Sequence, residues 1–102
     1  MTHIKDSRIE QCHSDMQKYE TWGNLLAGQC FVNFFNSNAP VSALAIHNGL
    51  EYTKAKMKFS VLQDDSHTKE DKDIRLNQID IDIHLTEEIM KHDLEYRGLL
   101  IP

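Results

Sequence analysis

Two segments of this chain alternate between apolar and polar residues with a period of two. The first interleaves Ala55, Met57, Phe59 and Val61 with polar residues, and the second does the same with Ile79, Ile81, Ile83 and Leu85. Successive side chains of a β-strand point to opposite faces of the sheet, so this pattern is typical of a strand with one face on a core and the other in water. We therefore predict two strands, over residues 54–61 and 79–85, that pair antiparallel.

The polar faces of these predicted strands carry opposite charges. Pairing sets one row against the other: Lys54, Lys56 and Lys58 against Asp80, Asp82 and His84. Opposite charges on neighbouring strands contribute about 0.2–1 kcal/mol each, which favours this register. Between the strands, residues 63–73 read QDDSHTKEDKD and contain no large apolar residue, so we expect a solvated, mobile acidic loop.

Apolar residues at helical spacing lie on both sides of the predicted hairpin. They recur every three to five positions from Ile4 to Tyr19 and become denser from Glu20 to Phe35, which predicts two N-terminal helices. After the second strand, Thr86 is a favourable N-cap for a last helix, and Gly98 is a favourable stop.

Residues 41–53 allow two interpretations. With Pro40 as the first helical residue and Gly49 as the stop, they form a short helix. With a period of two, Asn48-Gly49 is instead the turn between strands at 41–47 and 50–53. In either case the predicted fold class is α+β, with N-terminal helices packed on an antiparallel β-hairpin of two to three strands, followed by a C-terminal helix. At 102 residues, we expect a single domain over 1–102.

The charge balance argues against two classes of partner. The chain has 16 acidic against 11 basic residues, a net charge of −5. A protein that binds nucleic acid or an anionic membrane non-specifically needs a basic face, so we expect neither direct nucleic-acid binding nor membrane binding. The N-terminus carries charged residues before any apolar run and is unlike a signal peptide, so we expect a cytoplasmic protein.

The sequence contains neither a phosphate-binding glycine loop nor a nucleophile elbow. We therefore expect a non-enzymatic accessory or binding protein without a cofactor, acting through protein–protein contacts, with an acidic inhibitor as a sharper version. We expect a homodimer, because a second copy would cover the open strand edge and the apolar tail at 99–102. The candidate partner-binding residues are the loop acids and the apolar tail: Asp64, Asp65, Asp71, Asp73, Leu99, Leu100 and Ile101.

One strand face supports an alternative function. Asp80, Asp82 and His84 would project from the same side of the second predicted strand, about 6–7 Å apart in succession. Carboxylates and imidazole are ligands that divalent metals accept. The alternative hypothesis is therefore a small metal-dependent or ligand-binding enzyme that uses these three side chains.

A short motif lies near the end of the second predicted helix. Gly28-Gln29-Cys30-Phe31-x-Asn33 follows Trp22 by six residues. This segment, residues 22–35, resembles a helix of small phage and mobile-element proteins, which often have Gly-Gln, a small residue, Phe and then Asn. The resemblance implies a mobile-element origin and no particular activity, because those proteins share no assigned function.

Overall fold

The computed structural model describes residues 6–28 and 40–102. Within that part the chain forms helices α1 (Ser7–Gly28), α2 (Ala43–Gln63) and α3 (Lys69–Tyr96). Strands β1 (Val41–Ser42) and β2 (Leu100–Ile101) pair in parallel, with Val41 opposite Leu100. The predicted α+β class is therefore wrong: no antiparallel hairpin is present among the described residues, and the fold is mainly helical.

Both predicted strands lie inside helices, and helix geometry explains the alternation. Residues two apart on an α-helix are about 200° apart around its axis, so a period of two also arises when opposite faces are both apolar. In α3, Ile79 and Ile83 are buried, whereas Ile81 and Leu85 are exposed on the other side. The alternation in α3 therefore reports a helix with two apolar faces.

In α2 the same alternation arises because the helix packs against a neighbouring helix on each side. Phe59 faces α1, where its ring meets that of His13 edge to face at a centroid distance of 4.5 Å. Two residues away on either side, Met57 and Val61 line a groove with Ile79 of α3. Since α2 contacts both α1 and α3, it lies between them and needs apolar residues on both sides.

The helix boundaries also differ from the predicted ones. Two helices are predicted to meet between Tyr19 and Glu20, but the single helix α1 continues through this position. The remainder of the second predicted helix, residues 29–35, lies outside the described residues, as does the turn predicted to follow it. In residues 41–53 the helical interpretation is confirmed from Ala43 onward, but Gly49 is inside α2 rather than at its end.

The last helix begins much earlier than predicted. Thr68 is the N-cap of α3, and its hydroxyl accepts a hydrogen bond from the Asp71 amide at 3.2 Å. Thr86 lies within the helix, where its hydroxyl donates to the Asp82 carbonyl at 2.7 Å. Instead of an eleven-residue loop over 63–73, residues 64–68 connect α2 to α3.

The core is formed where the three helices meet. One cluster joins the end of α1 to the start of α2 and to the middle and C-terminal part of α3: Leu26, Ile46, Leu50, Ile79, Ile83, Met90 and Leu94. A second cluster, closer to the connection between α2 and α3, consists of Cys12, Leu62 and Leu76. Each cluster includes side chains from all three helices, so both clusters join the described helices.

The predicted stop at Gly98 is confirmed and directs the chain back to the core. Gly98 has a φ of 72°, in the left-handed region that favours glycine. The Leu99 amide donates to the Leu94 carbonyl at 2.8 Å, and the Val41 amide donates to the Leu99 carbonyl at 2.8 Å. This pairing attaches the end of α3 to the start of α2.

Two glycines allow α1 and α2 to approach closely. A Cβ added at Gly49 would lie 2.7 Å from Cδ2 and 2.9 Å from Cβ of Leu26. A Cβ added at Gly23 would overlap the side chain of Tyr52. Each helix thus contributes a glycine that leaves room for a side chain of the other.

Replacing Gly49 tests this close approach. In an ordinary helix interior, Gly→Ala stabilises by about 0.5–1 kcal/mol, but overpacking against Leu26 costs about 1–3 kcal/mol. We expect Gly49→Ala to lower the free energy of unfolding, measured by urea denaturation. Ser14→Ala, at an exposed position of α1, is the control and should change stability by less than about 0.5 kcal/mol. A stabilised Gly49→Ala variant would contradict the packing.

Candidate functional site

Helix α3 carries a second apolar face that the rest of the described chain leaves exposed. The buried face consists of Leu76, Ile79, Ile83, Met90 and Leu94. About 160° away around the helix lies a second set, with exposed fractions from 45% at Ile81 to 93% at Tyr96. We call this set the outer stripe: Ile74, Ile81, Leu85, Ile89 and Tyr96.

The outer stripe is long and nearly straight. Its members are separated by seven, four, four and seven residues, intervals that return to one side of a helix. From Ile74 to Tyr96 the stripe extends about 33 Å along the axis. A surface helix normally has one apolar face, directed at its own core, so this second face has the character of a docking surface.

A groove between α2 and α3 runs beside the N-terminal half of the stripe. Its lining residues are Met57, Ser60, Val61, Arg75, Gln78 and Ile79, and its volume is about 370 Å³. Gln78 lies four residues after Ile74 and seven before Leu85, so it is on the stripe side of the helix. The groove therefore continues the apolar surface from α3 onto Met57 of α2.

Charged residues border the stripe on both sides. Arg75 and Asp93 are 18 residues apart, which is five helical turns, so both project on the same flank. His84 and Glu88, four residues apart, lie on the other flank. The first flank also carries Asp82, seven residues after Arg75, so each flank combines a basic or titratable residue in its N-terminal half with an acidic residue in its C-terminal half, and the first flank has a second acid.

The structure places part of the predicted acidic surface in contacts within the chain. The Asp73 carboxylate accepts a hydrogen bond from the Arg8 guanidinium of α1 at 2.7 Å. Asp71 lies 2.7 Å from the His67 ring and 3.2 Å from Arg75 Nε. These two carboxylates therefore face cations of their own chain.

The other two predicted acids lie in the connection between α2 and α3. Asp64 accepts hydrogen bonds from the Ser66 amide at 2.9 Å and from the Ser66 hydroxyl at 2.6 Å. These bonds hold the pKa of Asp64 below its usual range. Asp65 is exposed. The four acids thus occupy the turn and the first helical turns, not one continuous loop.

The predicted apolar tail packs mainly on its own chain. Leu99 and Leu100 are partly buried against the larger core cluster. Ile101 pairs with Ser42 in the short parallel ladder and stays half exposed. Of the three tail residues, only Ile101 therefore offers much surface to a partner.

The residues of the metal hypothesis lie on a helix, which separates them. Asp82 is about 200° around the axis from both Asp80 and His84, so the shared strand face does not exist. The Asp80 carboxylate is 2.6 Å from Lys58 Nζ, and Asp82 accepts from the Gln78 amide at 2.8 Å. Over residues 6–28 and 40–102, no group of three or more His, Cys, Asp or Glu side chains is placed to hold a metal ion.

An ion-pair network that the sequence pattern did not indicate joins α2 to α3. Glu87 lies 2.8 Å from both His47 Nδ1 of α2 and Lys91 Nζ of its own helix. Burial alone would raise the pKa of Glu87, but the hydrogen bonds from Lys91 and His47 outweigh it and lower the pKa below 4.5. The same contact raises the pKa of Lys91. These charges stabilise the helix pair.

A second pair of ionic contacts joins α1 to α3. Arg8 donates to both oxygens of Asp6 as well as to Asp73 of α3. The hydrogen bonds from Arg8 lower the pKa of Asp6 to about 2. Because both carboxylates bind the same guanidinium, the start of α1 is held against the first turns of α3.

A separate apolar cavity of about 340 Å³ lies between α1 and β1. Its lining includes Trp22, Leu26, Val41 and Ile101. None of the helices described is both long enough and apolar enough to cross a membrane.

The outer stripe was only partly visible in the sequence. Ile81 and Leu85 belong to the second predicted strand and Ile89 to the last predicted helix, whereas Ile74 and Tyr96 are not singled out. Their intervals of four and seven are the helical signal that identifies them. The signal was obscured because buried Ile79 and Ile83 fall between the exposed residues and produce the alternation.

Comparisons of the chain with protein-family models, with curated proteins and with solved structures find no match. The resemblance of residues 22–35 to mobile-element proteins therefore stays a prediction.

The Glu87 network makes stability depend on pH. The folded-state pKa lies below the ordinary value of 4.5, so the stabilisation is complete above that pH and is lost as the pH falls through the folded-state pKa. We expect Glu87→Gln to reduce the free energy of unfolding at pH 7 by about 1–2 kcal/mol. This deficit should shrink below pH 4.5, as urea denaturation at several pH values will show.

Glu20→Gln, at an exposed position of α1, is the matched control for the loss of one carboxylate. Its effect at pH 7 should be under about 0.5 kcal/mol. A deficit of Glu87→Gln that stays constant from pH 7 into the acid range would contradict the network.

Proposed function

We propose that this chain is a non-enzymatic protein-binding module and that the outer stripe of α3 is its docking surface. The observation that carries the proposal is the exposure of five large apolar side chains along one face of a 28-residue helix. Apolar surface in water is unfavourable by about 25 cal/mol per Å². A partner that covers the stripe removes this penalty, and contiguous exposed apolar surface is characteristic of interaction sites.

The residues around the stripe favour a protein over a lipid surface. Helix α3 contains nine acidic and four basic residues, a net charge of −5. Anionic membranes attract basic amphipathic helices and repel acidic ones. A protein surface with an apolar centre can accept this stripe and meet its flanking charges individually.

The contacts of the predicted acidic surface favour the stripe as the docking element. A nucleic-acid mimic needs carboxylates that are available to a basic groove. Asp71 and Asp73 are instead bound by cations of this chain, including Arg8 and Arg75. A basic partner groove would first have to displace those contacts, whereas the stripe is accessible without such an exchange.

The displaced pKa values support a structural use of the titratable groups. The pKa values of Glu87 and Asp6 are lowered by ionic contacts. These contacts hold the described helices, or their ends, in place. Catalytic acids and bases usually combine such shifts with a position in a cleft. The chemistry of the described residues is thus suited to binding more than to turnover.

Site-specific photo-crosslinking tests the proposed docking surface. The photoreactive residue p-benzoylphenylalanine replaces Leu85, at the middle of the stripe, or Leu44, at the start of α2, in the cells that make the protein. The two leucines are matched, because they are 52% and 57% exposed. We expect covalent protein adducts, including adducts to a second copy, from position 85 and at least fivefold fewer from position 44. No adduct at position 85, or equal yields at both positions, would reject the proposal.

A further inference from the structure

We propose that the partner of the outer stripe is a second copy of this chain, bound antiparallel across a two-fold axis beside Leu85. The inference rests on the proposed function and specifies the occupant of the same surface. It is carried by the spacing of the stripe, by the charges on its flanks and by the groove beside it.

The stripe is symmetric about its central residue. Ile81 and Ile89 each lie four residues from Leu85, and Ile74 and Tyr96 each lie eleven residues from it. In an antiparallel pair centred on Leu85, Ile81 of one copy is level with Ile89 of the other, and Ile74 is level with Tyr96. Every large apolar residue of the stripe then meets another, which is the self-complementarity that a two-fold interface requires.

The flanking charges favour the antiparallel orientation over the parallel one. A parallel two-fold pair sets opposite flanks against each other at equal levels, so that Asp93 of one copy lies beside Glu95 of the other. An antiparallel two-fold keeps equivalent flanks on the same side and brings Arg75 within two residues of the level of Asp93, about 3 Å along the axis. Arg75 bonds to Asp71 through Nε, and Asp93 accepts from Arg97 through Oδ2, so the ion pair of one copy is set beside that of the other. On the other flank it brings His84 close to the level of Glu88.

The groove between α2 and α3 receives the end of the partner's stripe. Tyr96 is the most exposed large apolar side chain of the described residues, at 93%. In the antiparallel pair it is level with Ile74 of the other copy and lies beside the groove formed by Met57, Arg75 and Gln78. There the tyrosine ring covers Met57 and lies within reach of the Arg75 guanidinium, a favourable partner for an aromatic face.

The net charge gives the association a characteristic salt dependence. Each copy carries −5, so two copies repel at long range. Salt screens this repulsion over a Debye length of about 10 Å at 0.1 M, while the apolar contacts of the stripe remain. We expect the dimer to become tighter between 0.05 M and 0.5 M NaCl.

Sedimentation equilibrium of the purified chain tests the second copy directly. We expect a concentration-dependent increase from the monomer mass of 11.8 kDa to twice that mass. Leu85→Glu places two carboxylates at the two-fold axis and should weaken association at least tenfold. Leu44→Glu adds the same charge at a matched exposed leucine and should leave association within twofold. Circular dichroism and the melting temperature of dilute samples establish that both variants fold.

Cysteine cross-linking with a short bismaleimide tests the orientation. The double variant Ile74→Cys, Tyr96→Cys should form a covalent dimer, because the antiparallel pair sets the two positions level. Each single variant should cross-link no more than the parent chain, which carries Cys12 and Cys30 and measures the background. Single variants that cross-link as efficiently as the double variant would overturn the antiparallel arrangement.

The outcomes separate this inference from the proposed function. A chain that remains at 11.8 kDa up to high micromolar concentration in 0.5 M NaCl overturns the second copy as the occupant. If position 85 then still cross-links a different protein in cells, the docking surface stands with another partner. If position 85 captures nothing and the chain is monomeric, both proposals fail. Equal weakening by Leu85→Glu and Leu44→Glu would also overturn the two-fold at Leu85.

Discussion

The packing of α2 between two helices governs the rest of the structure. Phe59 of α2 contacts His13 of α1, and Met57 and Val61 line the groove between α2 and α3. With both neighbours on α2, the outer side of α3 has no cover among the described residues. The short parallel ladder and the Glu87 network then hold α3 in this position. The exposed stripe is thus a direct consequence of how the helices are layered.

Local chemistry predicted some features from the sequence correctly. Gly98 ends α3 because a left-handed residue is needed there, and this requirement depends only on neighbouring backbone groups. The helical interpretation of residues 41–53 is correct from Ala43 onward. The period-two segments were misread because a strand with one buried face and a helix with two apolar faces give the same alternation. Only the tertiary positions of α1 and α3 distinguish them.

The same ambiguity between strand and helix determined which residues the sequence indicated as a candidate site. Reading residues 79–85 as a strand placed Asp80, Asp82 and His84 on one face and suggested metal ligands, whereas on the helix they diverge. It also concealed the outer stripe, since Ile81 and Leu85 were assigned to the core with Ile79 and Ile83. The ionic contacts of the acidic residues could not be predicted from the sequence, because Arg8 and Asp73, which bind each other, are 65 residues apart in the chain.

Helix α3 has one buried and one outward apolar face, and an alanine scan through residues 79–85 distinguishes the two faces. The free energy of unfolding is measured at submicromolar concentration for Ile79→Ala, Ile81→Ala, Ile83→Ala and Leu85→Ala. Burial of Ile79 and Ile83 predicts losses of about 2–5 kcal/mol for those two variants, and under about 0.5 kcal/mol for the exposed pair. Four similar losses would mean that all four residues share one buried face and that α3 has no outward apolar face at these positions.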